Sequence, residues 1–205
     1  PEYSHPVVDI LQDKQPFVTD TNTLYRGKRI NATDHVELAK EHGFGSLGIP
    51  IVIADGEYGD DEVKVPIDGN HFKEVMIARG IQDIPSMAVI SHFKGHILFG
   101  FGGALKNLGM GCGSRAGKLA MHSKIEPVIG DDCIGCGVCA DNCAVGAIDI
   151  NDKAHINENC IGCAKCISVC PYGTIRVPFH GATSDEAQER CAEYAAGALK
   201  DKACI

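Results

Sequence analysis

The stretches "DDCIGCGVCADNCAVGAIDI" (residues 131–150) and "NENCIGCAKCISVCPYGTIRV" (residues 157–177) are two copies of one pattern. Each runs from an acid or Asn through Cys, Ile, Gly and Cys to two further cysteines. A glycine-containing turn and a short β-favouring run follow. The spacings are Cys133-x2-Cys136-x2-Cys139-x3-Cys143 and Cys160-x2-Cys163-x2-Cys166-x3-Cys170. Eight of the chain's 11 cysteines therefore sit in one duplicated segment. The opening residues, "PEYSHPVVDI", have neither a basic leader nor an apolar core. Cysteines so grouped, without an export signal, predict metal ligation in a reducing compartment rather than a disulfide framework.

The duplicated x2-x2-x3 order is the spacing of bacterial two-cluster ferredoxins. Two-residue gaps let one loop wrap three corners of a four-iron cube. The fourth cysteine of each run points away and serves the other cube. Cys133, Cys136, Cys139 and Cys170 are thus the expected ligands of one [4Fe-4S] cluster, and Cys160, Cys163, Cys166 and Cys143 those of the second. Gly135, Gly137 and Gly162 permit close backbone approach to the sulfurs. Zinc sites usually take two or four cysteines, often with histidine partners and longer gaps between pairs, so eight cysteines in duplicated x2-x2-x3 order favour cubanes over zinc. Ala144 stands where a Pro usually follows the fourth cysteine, whereas Pro171 keeps it. The formal net charge is −8; eight thiolates and two cores of +2 bring the loaded chain to about −12. Such a charge favours cationic redox partners and argues against nucleic acid or an anionic membrane surface as a partner. No apolar run reaches the roughly 18 residues that a membrane span needs.

Composition is that of a globular chain, 44% hydrophobic and 22% charged. Residues 1–127 alternate helix and strand signals and predict a layered α/β domain. The module at 128–178 is inserted in it, with an α+β ferredoxin-type fold. Residues 179–205 return to helical composition and are expected to rejoin the first domain. Helices are predicted in "PVVDILQDK" and in "NATDHVELAKEHGF" (31–44), the latter with Asn31 as N-cap and Gly43 just past its end. Strands are predicted in "PFVTD" (16–20), "GIPIVIAD" (48–55), "EVKVPI" and "SMAVISHF" (86–93), the second and last of them buried. "HFKEVMIARGI" suits strand or helix. Pro1 in first place, and a closing "AEYAAGALKDKACI" that reads as a helix entering a strand, predict a fragment of a longer polypeptide.

The other conspicuous stretch is "SHFKGHILFGFGGALKNLGMGCGSRAGKLAMHS" (91–123), which gathers histidines, basic side chains and glycines where the 86–93 strand ends. Ligands of open α/β sheets collect at such strand ends, so the expectation is a glycine-rich loop closing around a ligand. The Walker pattern fails here, because Leu119 follows Gly117-Lys118 and Cys112 stands in place of the first glycine. Gly111-x-Gly113-x-x-Ala116 has no strand leading into it and does not read as a dinucleotide site. Anion binding by backbone N–H groups with Lys106, Arg115 or Lys118 stays open. Asp20, at a strand end, is a candidate for a polar pocket or for an Asx-turn. Cys191 and Cys204 read as structural. Cys112, within "GMGCGSR", reads as a packed small residue or as a ligand.

"FVTDTNTLYRGKR", the glycine-rich stretch and the cysteine repeat together resemble the DUF362 family of iron–sulfur centre proteins. The resemblance implies a ferredoxin module inserted in an α/β domain. A second, shorter likeness lies in His96, Gly102-Gly103 before Lys106, and His122, which resemble the core motif of lactate racemase-type proteins. In that family the lysine carries a nickel-pincer nucleotide, one histidine is acid/base and another ligates nickel. The likeness implies catalytic roles for His96, Lys106 and His122 beside an additional organic or nickel cofactor. Gly102, Gly103, Asn107, Cys112 and Arg115 are the accompanying cofactor-contact candidates.

The expected function is a cytoplasmic iron–sulfur redox protein of an anaerobic setting. It would pass electrons through two clusters to a substrate or cofactor in the α/β domain. The alternative is an electron-transfer subunit whose larger domain only docks a redox partner protein.

Overall fold

The computed structural model describes residues 1–96, 100–122, 127–177 and 184–204. In chain order the elements are α1 (Ser4–Leu11), β1 (Val18–Asp20), α2 (Ala32–Glu41), β2 (Ile51–Ile53), β3 (Glu62–Pro66), β4 (Glu74–Ala78), α3 (Arg79–Gln82), β5 (Ser86–Met87), β6 (Lys94–His96) and β7 (Gly100–Gly102). They continue with α4 (Ala104–Cys112), α5 (Arg115–His122), β8 (Val128–Ile129), α6 (Val138–Asp141), β9 (Ile148–Ile150), β10 (Ala154–Ile156), α7 (Lys165–Val169), β11 (Ile175–Arg176), α8 (Ser184–Leu199) and β12 (Ala203–Cys204). The fold is mixed α/β.

The strands pair in twos. β1 and β2 run parallel, as do β5 and β12, while β3–β4, β6–β7, β8–β11 and β9–β10 are antiparallel. The buried strand expected over 86–93 is cut to Ser86–Met87; beyond it Ile90 and Phe93 stand exposed. Strand propensity describes how side chains pack against neighbours, and among the described residues no strand pairs with 88–93 to receive them. β2 is likewise only partly buried, with Val52 turned outward. The local signals around α2 hold: Asn31 Oδ1 accepts the Asp34 N–H at 2.8 Å, and Gly43 takes φ +90° where the helix ends.

The main core forms where the β3–β4 ribbon meets α4, α5 and α8. Val65 and Val75 face each other across the ribbon, and with Ile77 they point to one side, as alternation requires. α8 answers with Ala187, Cys191, Tyr194 and Ala198, spaced to form one helical stripe. Its many alanines favour helix, and Asp185 and Glu186 sit in its first turn, where the helix dipole favours acids. A second apolar cluster fills the cysteine-rich segment with Ile148, Ala154, Ile167 and Ile175. Leu24, from the segment after β1, and Leu119, from α5, belong to that second cluster and join the two parts.

The glycine-rich stretch departs most from expectation. From Ala104 onward it is two helices, α4 and α5, rather than a ligand-closing loop. Two of its glycines, Gly109 and Gly117, serve close packing. A Cβ on Gly109 would lie 2.6 Å from the Cys191 carbonyl oxygen and 3.1 Å from the Cys191 Cα of α8. One on Gly117 would lie 2.5 Å from the Met76 carbonyl oxygen. Both neighbours are backbone, which cannot swing aside. Gly109→Ala should therefore force α4 from α8 and destabilise the protein by about 1–3 kcal/mol, the range for overpacking. Urea unfolding measures this, and an unchanged midpoint would show that the close crossing carries no energy.

Candidate functional site

The eight cysteines of the repeat line two pockets. Cys133, Cys136, Cys139 and Cys170 line one, with Tyr172 and Ile175 among its walls. Cys143, Cys160, Cys163 and Cys166 line the other, beside Ile148 and Ile156. Each fourth cysteine thus lies with the three of the opposite run. Two short helices, α6 and α7, produce this crossing. Each begins after a left-handed residue at equivalent places in the two copies, Gly137 (φ +83°) and Ala164 (φ +56°).

Two of the sulfurs accept backbone hydrogen bonds. The Ala154 N–H points at Cys133 Sγ (3.5 Å), and the Ala147 N–H at Cys143 Sγ (3.3 Å). The N–H groups of Ala154 and Gly135 hold the Cys133 thiol below its ordinary pKa. Burial, together with the neighbouring Cys163 and Cys160, pushes Cys166 up to about 12. A thiolate there needs a positive core close by. Among the described residues no group of three His, Cys, Asp or Glu side chains is arranged to hold a single metal ion. A four-iron core makes no such demand, since each thiolate meets a different iron.

Of the residues singled out in the glycine-rich stretch, His96 and Lys106 come together, whereas Cys112 and Arg115 are buried elsewhere. His96 ends β6, and Lys106 lies in the first turn of α4. Burial and the charges of Lys106 and Lys94 lower the pKa of His96. Burial also lowers that of Lys106, against the opposing influence of Cys191. These two groups therefore share one neighbourhood. Gly102 stands against the Lys106 stem, Gly103 against Phe93, and Asn107 Nδ2 donates to the His92 carbonyl at 3.2 Å. The backbone of His122 closes α5, and its side chain lies outside the described residues, as does Cys204's. Cys112 is buried in the main core. Arg115 is fully buried and donates to the carbonyls of Thr23 (2.9 Å), Tyr58 (2.8 Å) and Ile30, which leaves no face open to a ligand.

A different cleft opens beside these helices. Its volume is about 240 Å³, and Asp20, Leu24, Arg29, Asn107, Met110 and Lys118 are among its lining residues. The parallel pairing of β1 and β2 explains the placement. Asp20 closes β1, and Asp55 follows just after β2, so both carboxylates lie at the carboxyl end of the pair. Lys118 reaches in from α5. Its Nζ donates to the Gly113 carbonyl at 2.9 Å and to Thr21 Oγ1. Asp20 Oδ1 accepts the Thr21 N–H at 2.8 Å; Oδ2 lies 3.5 Å from His35 Nε2 and 3.6 Å from Arg29 Nη1.

Burial works against an ionised Asp20, but His35, Lys118 and the Thr21 N–H outweigh it and hold the carboxyl below its ordinary pKa. Asp55 accepts from the Asn22 N–H and Nδ2; burial still raises its pKa against the pull of Lys118. Lys118 is lowered by burial to about 8, against the stabilising charges of Asp55 and Asp20. Of these groups the sequence marks Asp20 as a pocket candidate and Lys118 as an anion partner. Arg29 and Asp55 were not singled out for this site, although "DTNTLYRGKR" places Arg29 close behind Asp20.

Residues 1–203 match the family model described as Domain of unknown function (DUF362). The chain belongs to the DUF362 family. No curated protein and no solved structure gives a match. For this DUF362 chain the family extends over both the cysteine-rich segment and the α/β part that carries the cleft.

The buried lysine makes stability depend on pH. Its folded-state pKa of about 8 lies below the ordinary 10.5. Between those values the unfolded chain keeps a proton that the folded chain has released, so stability rises with pH in that window. Urea unfolding of the native protein and of Lys118→Met at pH 7.5 and 9.5 checks this. The difference should shift in favour of the native protein at the higher pH; a difference independent of pH would contradict the assignment.

Proposed function

We propose that this chain is an iron–sulfur electron-transfer protein, with a ferredoxin-type module serving a ligand site in its α/β part. The observation that carries the reading is the crossed lining of the two cysteine pockets, in which Cys170 joins the first run and Cys143 the second. A four-cysteine set of this kind suits a [4Fe-4S] cluster, which when bound takes up and returns electrons at a low potential. The chain's own residues do the rest. The amides of Ala154 and Ala147 direct hydrogen bonds at the sulfurs, which stabilise the thiolate form and tune its electron density. Ile148, Ile156 and Ile175 keep the pocket walls apolar.

Several contacts among the described residues hold the module against the α/β part. Arg26 Nη2 donates to the Pro171 carbonyl at 3.1 Å, beside the pocket that Cys170 lines. Lys165 Nζ lies 2.8 Å from Asp60 Oδ2. Gly162, in the second cysteine loop, faces Leu119 Cδ2, 3.8 Å from where a Cβ would stand. The exposed ion pair adds little stability, but it fixes orientation. Leu24 lines the cleft and also belongs to the apolar cluster of the module. The cleft is accordingly the site where a small-molecule substrate would meet electrons from the module. The electron donor is a redox partner protein with a basic face, complementary to the acidic loaded chain. Thiolates in this number call for a reducing compartment, the cytoplasm.

Anaerobically purified protein should contain about eight irons and eight sulfides. Cys170→Ala and Cys136→Ala should abolish the same low-temperature EPR signal, and Cys143→Ala and Cys163→Ala the other. Zinc in place of iron in folded protein would end the reading. Loss of the Cys163 signal in Cys170→Ala would show uncrossed ligation.

A further inference from the structure

The cleft beside β1 carries more positive charge than its carboxylate offsets. Of the side chains that line it, Arg29 and Lys118 are cations and Asp20 is a carboxylate. Asp55 and Arg115 lie behind this lining, with opposite charges that act on Lys118 in opposite directions. The lining is therefore left with one positive charge in excess. Burying an excess charge is costly unless a counter-charge joins it.

We propose that this cleft binds a small organic monocarboxylate, with the carboxylate between Arg29 and Lys118 and the carbon chain against Leu24 and Met110. The inference deepens the reading of the cleft as the substrate site, and rests on it for its role in electron transfer.

Donor geometry supports the anionic end. An ammonium has three N–H donors. Among the described residues Lys118 directs two, at Thr21 Oγ1 and the Gly113 carbonyl, while its side chain lines the cleft. Among the described residues the Arg29 guanidinium makes long contacts, 3.6 Å to Asp20 and 3.4 Å from Nη2 to the Tyr25 hydroxyl. Its side chain is 41% exposed, so a planar guanidinium fork remains at the rim. That fork matches the two oxygens of a carboxylate. Asn107, in α4, adds an amide to the lining.

Charge and size narrow the class. Asp20 borders the same space, and it would repel the second charge of a phosphate dianion. A monoanion neutralises the one-charge excess and no more. At about 240 Å³ the cleft falls below the roughly 300–1,000 Å³ of drug-sized sites. Leu24 and Met110 supply an apolar wall for a few carbons.

Isothermal titration calorimetry on the full chain, purified anaerobically, tests the proposal with butanoate, inorganic phosphate and butylammonium. Butanoate should bind saturably at one site. Phosphate should bind at least tenfold more weakly, and butylammonium should give no saturable heat. Arg29→Gln should weaken butanoate at least tenfold; Arg29 is half exposed, so this variant keeps the test decisive even if Lys118→Met fails to fold. Absence of saturable butanoate binding, equal binding of butylammonium, or full affinity in Arg29→Gln would overturn the proposal. Butanoate binding by protein that carries no iron would end the electron-transfer reading and leave the carboxylate site standing. Iron-replete protein that ignores butanoate would do the reverse.

Discussion

One buried guanidinium holds the parts of this protein together. Arg115 is wholly enclosed at the start of α5, and its three donor nitrogens take the carbonyls of Thr23, Ile30 and Tyr58. Those carbonyls lie in the segments that follow β1 and β2. Hydrogen bonds from a charged group are stronger than neutral ones, and removing one partner of such a buried set costs several kcal/mol, about 3–5. Gly59 makes room for it, since a Cβ there would lie 2.8 Å from the guanidinium Nε. The segment fixed in this way carries Leu24, which joins the cysteine module, Arg26, which tethers it, and Arg29, which lines the cleft. A side chain with no direct contact to either site thereby sets the distance between them.

What the sequence made legible follows from how local each signal is. The duplicated cysteine spacing is local, and it already pairs Cys170 with the first run and Cys143 with the second. The cap at Asn31 and the left-handed Gly43 are local too, and the structure has both. The glycine-rich stretch reads as a loop because glycine weakens an isolated helix, yet from Ala104 it is helical. In α4 and α5 the absent Cβ instead lets α8 and β4 approach, a benefit visible only in three dimensions. "SMAVISHF" shows the converse. Its residues favour a strand, but among the described residues no strand pairs with 88–93.

The cleft was only partly legible for the same reason. A lone lysine in a sequence reads as a solvated side chain. Lys118 becomes unusual because α5 drives it between Asp20 and Asp55, which are separated in the chain and united by the parallel pairing of β1 with β2. The likeness to racemase-type motifs draws attention to His96 and Lys106, and these do influence one another. The buried charges, however, concentrate around Lys118. The two neighbourhoods share α4, through Lys106 and Asn107.

The central claim is that the duplicated cysteines form two crossed four-iron sites beside the cleft. The most direct measurement is iron-edge anomalous diffraction from crystals grown without oxygen. The account predicts two separate four-iron peaks, one bounded by Cys133, Cys136, Cys139 and Cys170, the other by Cys143, Cys160, Cys163 and Cys166. A single peak, or two peaks each bounded by the four cysteines of one run, would contradict it.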